Sequence, residues 1–245
     1  MAVVTLLDIG RAPYDPALAL QERLVGQVKA APEERAFVVL VEHDPPVITL
    51  GRSARRGHVL VPPERLAAEG IALVESSRGG DVTYHGPGQL VGYPILRLDR
   101  HGRDVHRYLR DLEDVLIRCL ARFGIEAARR RGWTGVWAAR RPLTPALSHE
   151  GSGGHGATAK VAAIGVAVRR WVTYHGFALN VAPNLAHFDL IVPCGIRDRR
   201  VTSLRDLLGR EVTVAEVKAP LVECLVEVFG FEGVSAGDPG AYGFA

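Results

Sequence analysis

Three cysteines stand in this chain, and one of them has a setting suited to covalent chemistry. Cys119 and Cys224 fall among apolar residues at helical spacing, and on such a face a thiol is a small core residue. Cys194 has no stripe around it. Its neighbours Pro193 and Gly195 place it on a turn, where the sulfur can be exposed and, once ionised, act as a nucleophile. A nearby ammonium favours the thiolate, and Lys160 is a candidate, although spacing alone does not bring the two together and a lysine at a strand start is usually a solvated charge. The odd number and wide spacing of the cysteines make neither a disulfide framework nor a zinc-ligand pattern, so reduced thiols and no metal are expected.

Histidine offers a second chemistry. His85 and His175 can serve as acid–base groups, or they can be buried and satisfied by hydrogen bonds. His149 and His155 lie in a stretch of proline, glycine and serine without fixed partners and read as solvated. The third feature is the run from Arg78 to Ile95, RGGDVTYHGPGQLVGYPI, with five glycines. Glycine loses more backbone freedom on ordering than any other residue, so this density implies positive-φ turns or a backbone that closely approaches a ligand. A long hairpin turn is the plainer alternative.

These residues need elements to position them. Val3 to Ile9 reads as a strand, and Asp15-Pro16 as a helix start, followed by Leu20, Leu24, Val25 and Val28 at helical spacing. Ala36 to Val41 is apolar throughout and too short for a helix, which predicts a strand buried on both faces. A short helix is expected over Pro62 to Glu69, a strand over Ile71 to Ser76, and a return strand over Leu90 to Ile95. Asp104 caps a helix whose stripe runs from Val105 to Phe123 and stops at Gly124. Lys160 to Val168 and Trp171 to Leu179 read as a hairpin. Ser203 caps a short helix, and Thr213 with Glu216 makes a capping box for a last helix that Pro220 should kink or split. Periodicity is lost at about 140–158, which reads as an insertion in a single domain spanning 1–245. Strands in runs with helices at intervals argue for an α+β fold, a mixed or antiparallel sheet with helices packed against it.

Composition narrows the classes. With 47% apolar residues, 23% charged and a net charge of +3 over 245 residues, a sizeable core is available and disorder is excluded. The mild basicity suits an acidic protein partner. No basic run with interleaved aromatics points to nucleic acid, and no apolar run approaches a membrane span. The N-terminus lacks the charged segment of a secretory signal, so the cytoplasm is the expected compartment.

The run RGGDVTYHGPGQLVGYPI closely resembles the signature of the lipoyl(octanoyl) transferases. Further segments agree in order: EHDPPVITLGR from Glu42, GVW from Gly135, KVAAIGVAVRRWVTYHGFALNV from Lys160, and Pro193-Cys194-Gly195. The resemblance implies the sheet-and-helix architecture of lipoate and biotin protein ligase catalytic domains. It also implies transfer of an octanoyl group from octanoyl-acyl carrier protein to a lysine on lipoyl domains of 2-oxoacid dehydrogenase complexes and the glycine cleavage H protein. No cofactor is implied beyond the octanoyl-phosphopantetheine arm that the carrier brings.

Residue by residue, the family pattern makes Cys194 the acyl-bearing nucleophile and Lys160 its partner in a cysteine and lysine dyad. The substrate-contacting segments become Arg78, Gly79, Gly80, Asp81, Val82, Thr83, Tyr84 and His85; Ala163, Ile164 and Gly165; and Gly176, Phe177 and Ala178. Glycine in each would leave room for an eight-carbon chain against the backbone. Two other readings stand beside this one: an ATP-dependent lipoate or biotin ligase, which needs no cysteine, and a non-catalytic module that binds lipoyl domains or acyl carriers. A thioesterase would result if water entered as readily as amine.

Overall fold

A run apolar at every position must be covered on both sides, and Ala36 to Val41 of β2 (Ala36–His43) is. Its Ala36, Val38 and Leu40 enter one core and its Phe37, Val39 and Val41 another. The computed structural model describes residues 3–31, 35–139, 158–192 and 201–244. Most of the expected insertion at about 140–158, together with Pro193, Cys194 and Gly195, lies outside the described residues.

Around β2 stands a sheet of eight strands in the order β11-β1-β2-β6-β10-β9-β8-β7. These are β1 (Val4–Ala12), β6 (Gln89–Ile95), β7 (Ala127–Arg130), β8 (Trp133–Ala139), β9 (Thr158–Arg169), β10 (Val172–Asn180) and β11 (Val234–Ala236). β1 is parallel to both β2 and β11, and the other pairs are antiparallel, so the expected mixed sheet is present. Helix α1 (Tyr14–Ala30) covers one face; α3 (Val105–Arg122) and α5 (Val214–Phe229) cover the other. A second sheet, β4-β3-β5, joins β3 (Val47–Leu50), β4 (Ala72–Glu75) and β5 (Val82–His85) around its own core with α2 (Pro63–Ala68).

The caps follow the sequence. Asp104 accepts from the backbone N–H of His106 and Arg107 at the start of α3, Ser203 caps α4 (Leu204–Leu208), and Thr213 and Glu216 form the capping box of α5. Three expectations are corrected. Helix α1 begins at Tyr14 after Pro13, and Asp15 lies in its first turn without a cap bond. Pro16 is tolerated there because first-turn N–H groups have no intrahelical partner, and the Asp15 carboxylate faces the positive end of the helix dipole. Helix α5 is not split at Pro220 but continues through it, with Val217, Leu221, Val222 and Leu225 buried on both sides. The supposed long loop contains β5, so the chain from Arg78 to Ile95 crosses from the small sheet to the large one.

One irregularity shapes the site. Pro94 stands in central β6, where it has no N–H to donate, and the direct pairing of β10 with β6 begins only at Phe177 opposite Gly92. Thr173 of β10 takes over: its hydroxyl donates to Pro94 O at 2.8 Å and accepts from Leu96 N at 3.0 Å. His175 then turns to φ 56, an unusual conformation for a side-chain-bearing residue. Its N–H donates to Oε1 of Gln21, a fully buried side chain of α1, at 2.9 Å. Gln21→Leu would leave that buried N–H without an acceptor and should cost about 1–3 kcal/mol. Urea denaturation reads this directly, and an unchanged midpoint would show that the bond contributes nothing.

Candidate active site

Where the small sheet meets β9 and β10, three stretches of backbone converge. The first begins at Arg78, whose guanidinium is buried. Nε and Nη2 donate to Thr49 Oγ1 at 3.0 and 2.9 Å, Nη2 to Thr49 O at 2.6 Å, and Nη1 to Gly79 O at 3.1 Å. Backbone bonds fasten the rest: Arg52 N to Arg78 O at 3.0 Å, Ser53 N to Gly80 O at 3.0 Å, and Gly79 N to Val166 O of β9 at 2.8 Å. Asp81 accepts from its neighbour Val82 N at 2.8 Å and pairs with His58 Nδ1 at 2.6 Å.

The second and third stretches lie side by side in β9 and β10, with Gly165 opposite Gly176, Ile164 opposite Phe177 and Ala163 opposite Ala178. Their glycines make room for protein. A Cβ on Gly165 would stand 2.9 Å from Gly79 O and 3.2 Å from Arg78 Cδ; one on Gly176 would overlap the Gly92 carbonyl and lie 2.8 Å from Pro94 Cδ. The expectation that these two glycines hold space for an acyl chain is therefore amended: they let neighbouring backbones and Arg78 close up behind the cleft.

The resulting cleft holds about 60 Å³ and is open to solvent. Its lining includes Arg78, Gly80, Asp81, Val82, Thr83 and His85, then Ala163, Ile164 and Gly165, then Gly176, Phe177 and Ala178, together with Lys160. Gly79 and Tyr84 are not part of that lining. Gly79 is bonded to β9, and Tyr84 points into the small core against Phe188, its hydroxyl 2.8 Å from His187 Nδ1. Tyr14, Val91, Tyr93 and His175 complete the wall. The first three were not among the site residues expected from sequence, although Val91 and Tyr93 stand inside the glycine-rich run, where their apolar strand setting hid them.

Lys160 is half-buried in β9, its Nζ 5.5 Å from the centre of the Trp137 ring. Its carbonyl accepts from Thr202 N at 3.0 Å, while Val192 N donates to His58 O at 2.7 Å. The described chain thus stops beside His58 and resumes beside Lys160. Cys194 itself lies outside the described residues. The other two cysteines are core residues, as expected: both are buried, and burial pushes the Cys119 thiol up to about 12 and raises that of Cys224.

In and just behind the wall sits a group of neutral imidazoles and phenols. His43 Nδ1 donates to Ala12 O at 3.3 Å, which leaves Nε2 to accept from Tyr93 Oη at 2.6 Å. His85 Nδ1 donates to Gln89 Oε1 at 2.7 Å, and Gln89 Nε2 donates onward to Tyr84 O at 3.2 Å and Asn180 Oδ1 at 2.8 Å. His175 Nε2 meets Ser77 Oγ at 3.1 Å. Burial pushes His43 down to about 4 and His175 down to about 3, with the Arg78 charge adding to the second. Burial likewise drives His85 well below its ordinary value, helped by neighbouring His43 and Arg78, and raises Tyr93 well above the usual phenol. All three histidines are therefore uncharged near neutral pH. Among the described residues no cluster of three histidine, cysteine or carboxylate side chains could hold a metal, and no helix is long and apolar enough to cross a membrane.

The chain matches the family model described as the lipoyl protein ligase A/B catalytic domain over residues 13–226. It is 45% identical to the octanoyltransferase of Chloroflexus aggregans, covering 96% of this chain and 99% of that protein. It is 44% identical to the octanoyltransferase of Myxococcus xanthus over 98% of this chain, although it spans only 63% of that relative's length. Among solved structures, the bipartite lipoate protein ligase of Thermoplasma acidophilum, described with its E2 lipoyl domain, superposes with a TM-score of 0.69 at 16% identity. That superposition covers 98% of this chain and 89% of the other, a likeness of fold.

The histidines also set an acid limit. Each binds its proton at lower pH in the folded chain than in the unfolded one, so the unfolded state takes up protons first as pH falls through about 6.5. Stability should be flat above that value and decline as pH drops toward about 4 and then about 3. His175→Asn tolerates the positive φ and removes one such group. Between pH 6.5 and 5 the variant should lose about 2 kcal/mol less than the parent. Urea titrations at both pH values measure this, and equal losses would show that His175 titrates normally.

Proposed function

This chain belongs to the octanoyltransferase family, and on that premise we propose that it transfers an octanoyl group from octanoyl-acyl carrier protein to a lipoyl-domain lysine through a thioester on Cys194. The observation that carries this reading is the cleft in which Lys160 meets all three segments that the family pattern assigns to substrate. The chain on either side of the cysteine supports it. Two residues before Cys194 the backbone is tied to His58, which holds Asp81 of the cleft, and seven residues after it Val201 pairs with Lys160.

In the first half-reaction the Cys194 thiolate attacks the thioester carbonyl, a new C–S bond forms, and the carrier's pantetheine leaves as a thiol after taking up a proton. The acceptor lysine amine then attacks the enzyme thioester, an amide forms, and the Cys194 thiolate is released. Lys160 as an ammonium favours the thiolate; as a neutral amine it accepts the proton of the attacking acceptor. Apolar walls from Val91, Ala163, Ile164 and Phe177 offer the desolvation that an eight-carbon chain needs. The oxyanion requires N–H donors, and Gly79 is not one of them, since its N–H is engaged with Val166. The acceptors are lipoyl domains of 2-oxoacid dehydrogenase complexes and the glycine cleavage H protein, the reaction is cytoplasmic, and no cofactor is needed beyond the carrier's arm.

The reading is tested by mixing the protein with octanoyl-acyl carrier protein and a lipoyl domain, without ATP, and following masses. An octanoyl adduct should form on the protein and pass to the acceptor. Cys194→Ser should abolish the adduct. Lys160→Ala should slow alkylation of Cys194 near neutral pH with recovery at higher pH, and Lys160→Arg should keep part of the alkylation while losing the transfer step, because arginine does not give up its proton. A strict need for ATP would replace this mechanism with that of a ligase.

A further inference from the structure

Lys160 follows its course because residue 135 has no side chain. Gly135 lies in β8 at φ +122, and a Cβ there would stand 2.6 Å from Lys160 Cε, 3.2 Å from Lys160 Nζ and 2.6 Å from Ala162 O. The lysine stem passes through that volume and brings Nζ over the Trp137 ring at the cleft. The strands are out of regular register at this point. Val136 pairs with Ala162 but Trp137 pairs with Lys160, so β9 carries one residue more than β8 between the two pairs. A bulge of this kind re-aims a side chain.

A carboxylate shielded from solvent holds the bulge in place. Glu113 of α3 has no exposed side-chain surface, and its Oε1 accepts from Gly135 N at 3.0 Å. Its Oε2 accepts from Arg110 Nη1 at 2.5 Å and Arg129 Nε at 3.0 Å. Arg129 is itself fixed by Nη2 bonds to Arg110 O at 2.9 Å and Asp114 Oδ1 at 2.5 Å. A carboxylate this deeply buried is often no more stabilising, even when paired, than an apolar residue of similar volume, and its arginine partners remain partly exposed, so its use here is better sought in geometry. On helical periodicity Glu113 sits beside Leu112 and Leu116, among the buried residues of α3.

We propose that Glu113 and Gly135 are positioning residues for Lys160: the buried carboxylate fixes the bulge, and the bare Cα leaves the channel through which the lysine reaches the cleft. The proposal rests on the reading of Lys160 as the partner of Cys194. Three lysines stand in the whole chain, Lys29, Lys160 and Lys218, so reductive ¹³C-methylation gives a short NMR spectrum in which a methyl-lysine over the Trp137 ring is set apart by the ring current. Gly135→Ala is the direct variant. Because a Cβ at that φ also strains the backbone, Glu113→Leu is measured beside it, and Glu113→Gln, which keeps an oxygen for Gly135 N, serves as the conservative rescue.

In Gly135→Ala and Glu113→Leu the Lys160 signal should move toward those of Lys29 and Lys218, and steady-state octanoyl transfer should fall about a hundred-fold in kcat with little change in KM. Glu113→Gln should restore both. A Lys160 signal that stays in place in a folded Glu113→Leu protein would overturn the proposal, whatever happens to the rate. If the signal moves as expected but Lys160→Ala transfers octanoyl at the parent rate, the positioning stands and the catalytic reading of Lys160 is what fails.

Discussion

The cleft depends on a place where two backbones touch with no side chain between them. Gly79 N donates to Val166 O, and the Gly79 carbonyl lies where a Cβ on Gly165 would press against it. This contact docks the three-stranded sheet against β9. A side chain at 165 would have to push the Gly79 carbonyl outward by a few tenths of an ångström. The carbonyls of Arg78 and Gly80 are bonded to the backbone of Arg52 and Ser53, so the displacement would spread through the rim. Arg78 completes the joint from below by binding Thr49 in β3 and the Gly79 carbonyl. The same rim, through Asp81 and His58, holds the chain just ahead of Cys194.

The polarity around this joint is arranged with few charges. Of the ionisable side chains lining the cleft, Tyr14, Tyr93, His85 and His175 are held neutral near neutral pH. Burial enforces that neutrality, because ionising a desolvated imidazole or phenol is unfavourable. Each hydrogen bond then has a fixed direction: Tyr93 donates to His43, and His85 donates to Gln89. The cleft thus presents a partly apolar wall, in which Arg78, Asp81 and Lys160 are the remaining ionisable side chains.

How much of this was legible follows from the kind of signal each residue leaves. The caps at Asp104, Ser203 and Thr213 were readable because they rest on contacts within one turn of chain. The two-sided burial of β2 was readable because a strand-length run of apolar residues has no polar face to turn toward water. β5 was not, since four residues between glycines carry no period long enough to count. Glu113 was hidden by its charge: on an amphipathic helix a glutamate reads as solvent-facing, and the arginines that bury it arrive from one turn earlier and from β7. Gly135 stood out only as part of a motif. Its reason is the stem of Lys160, which approaches through pairing that local sequence does not reveal. The cleft segments were located by family pattern alone, and their convergence is a property of the two sheets together.

The basic residues of the chain follow an uneven choice that bears on this site. Of 30 lysines and arginines, three are lysine, so arginine is the default cation and a lysine marks a departure. At Arg78, Arg129 and Arg110 the planar, permanently charged fork suits the work, which is to bind carbonyls or carboxylates in fixed directions. Position 160 faces another demand. The channel past Gly135 is narrow, and the proposed second half-reaction needs a cation that can become a base. An arginine would bring a broader head to a passage where the lysine stem already fills the place of a side chain, and it would hold its proton throughout. Shape and proton affinity therefore select the same residue, and the bulge in β8 and β9 is what makes that choice effective at the cleft.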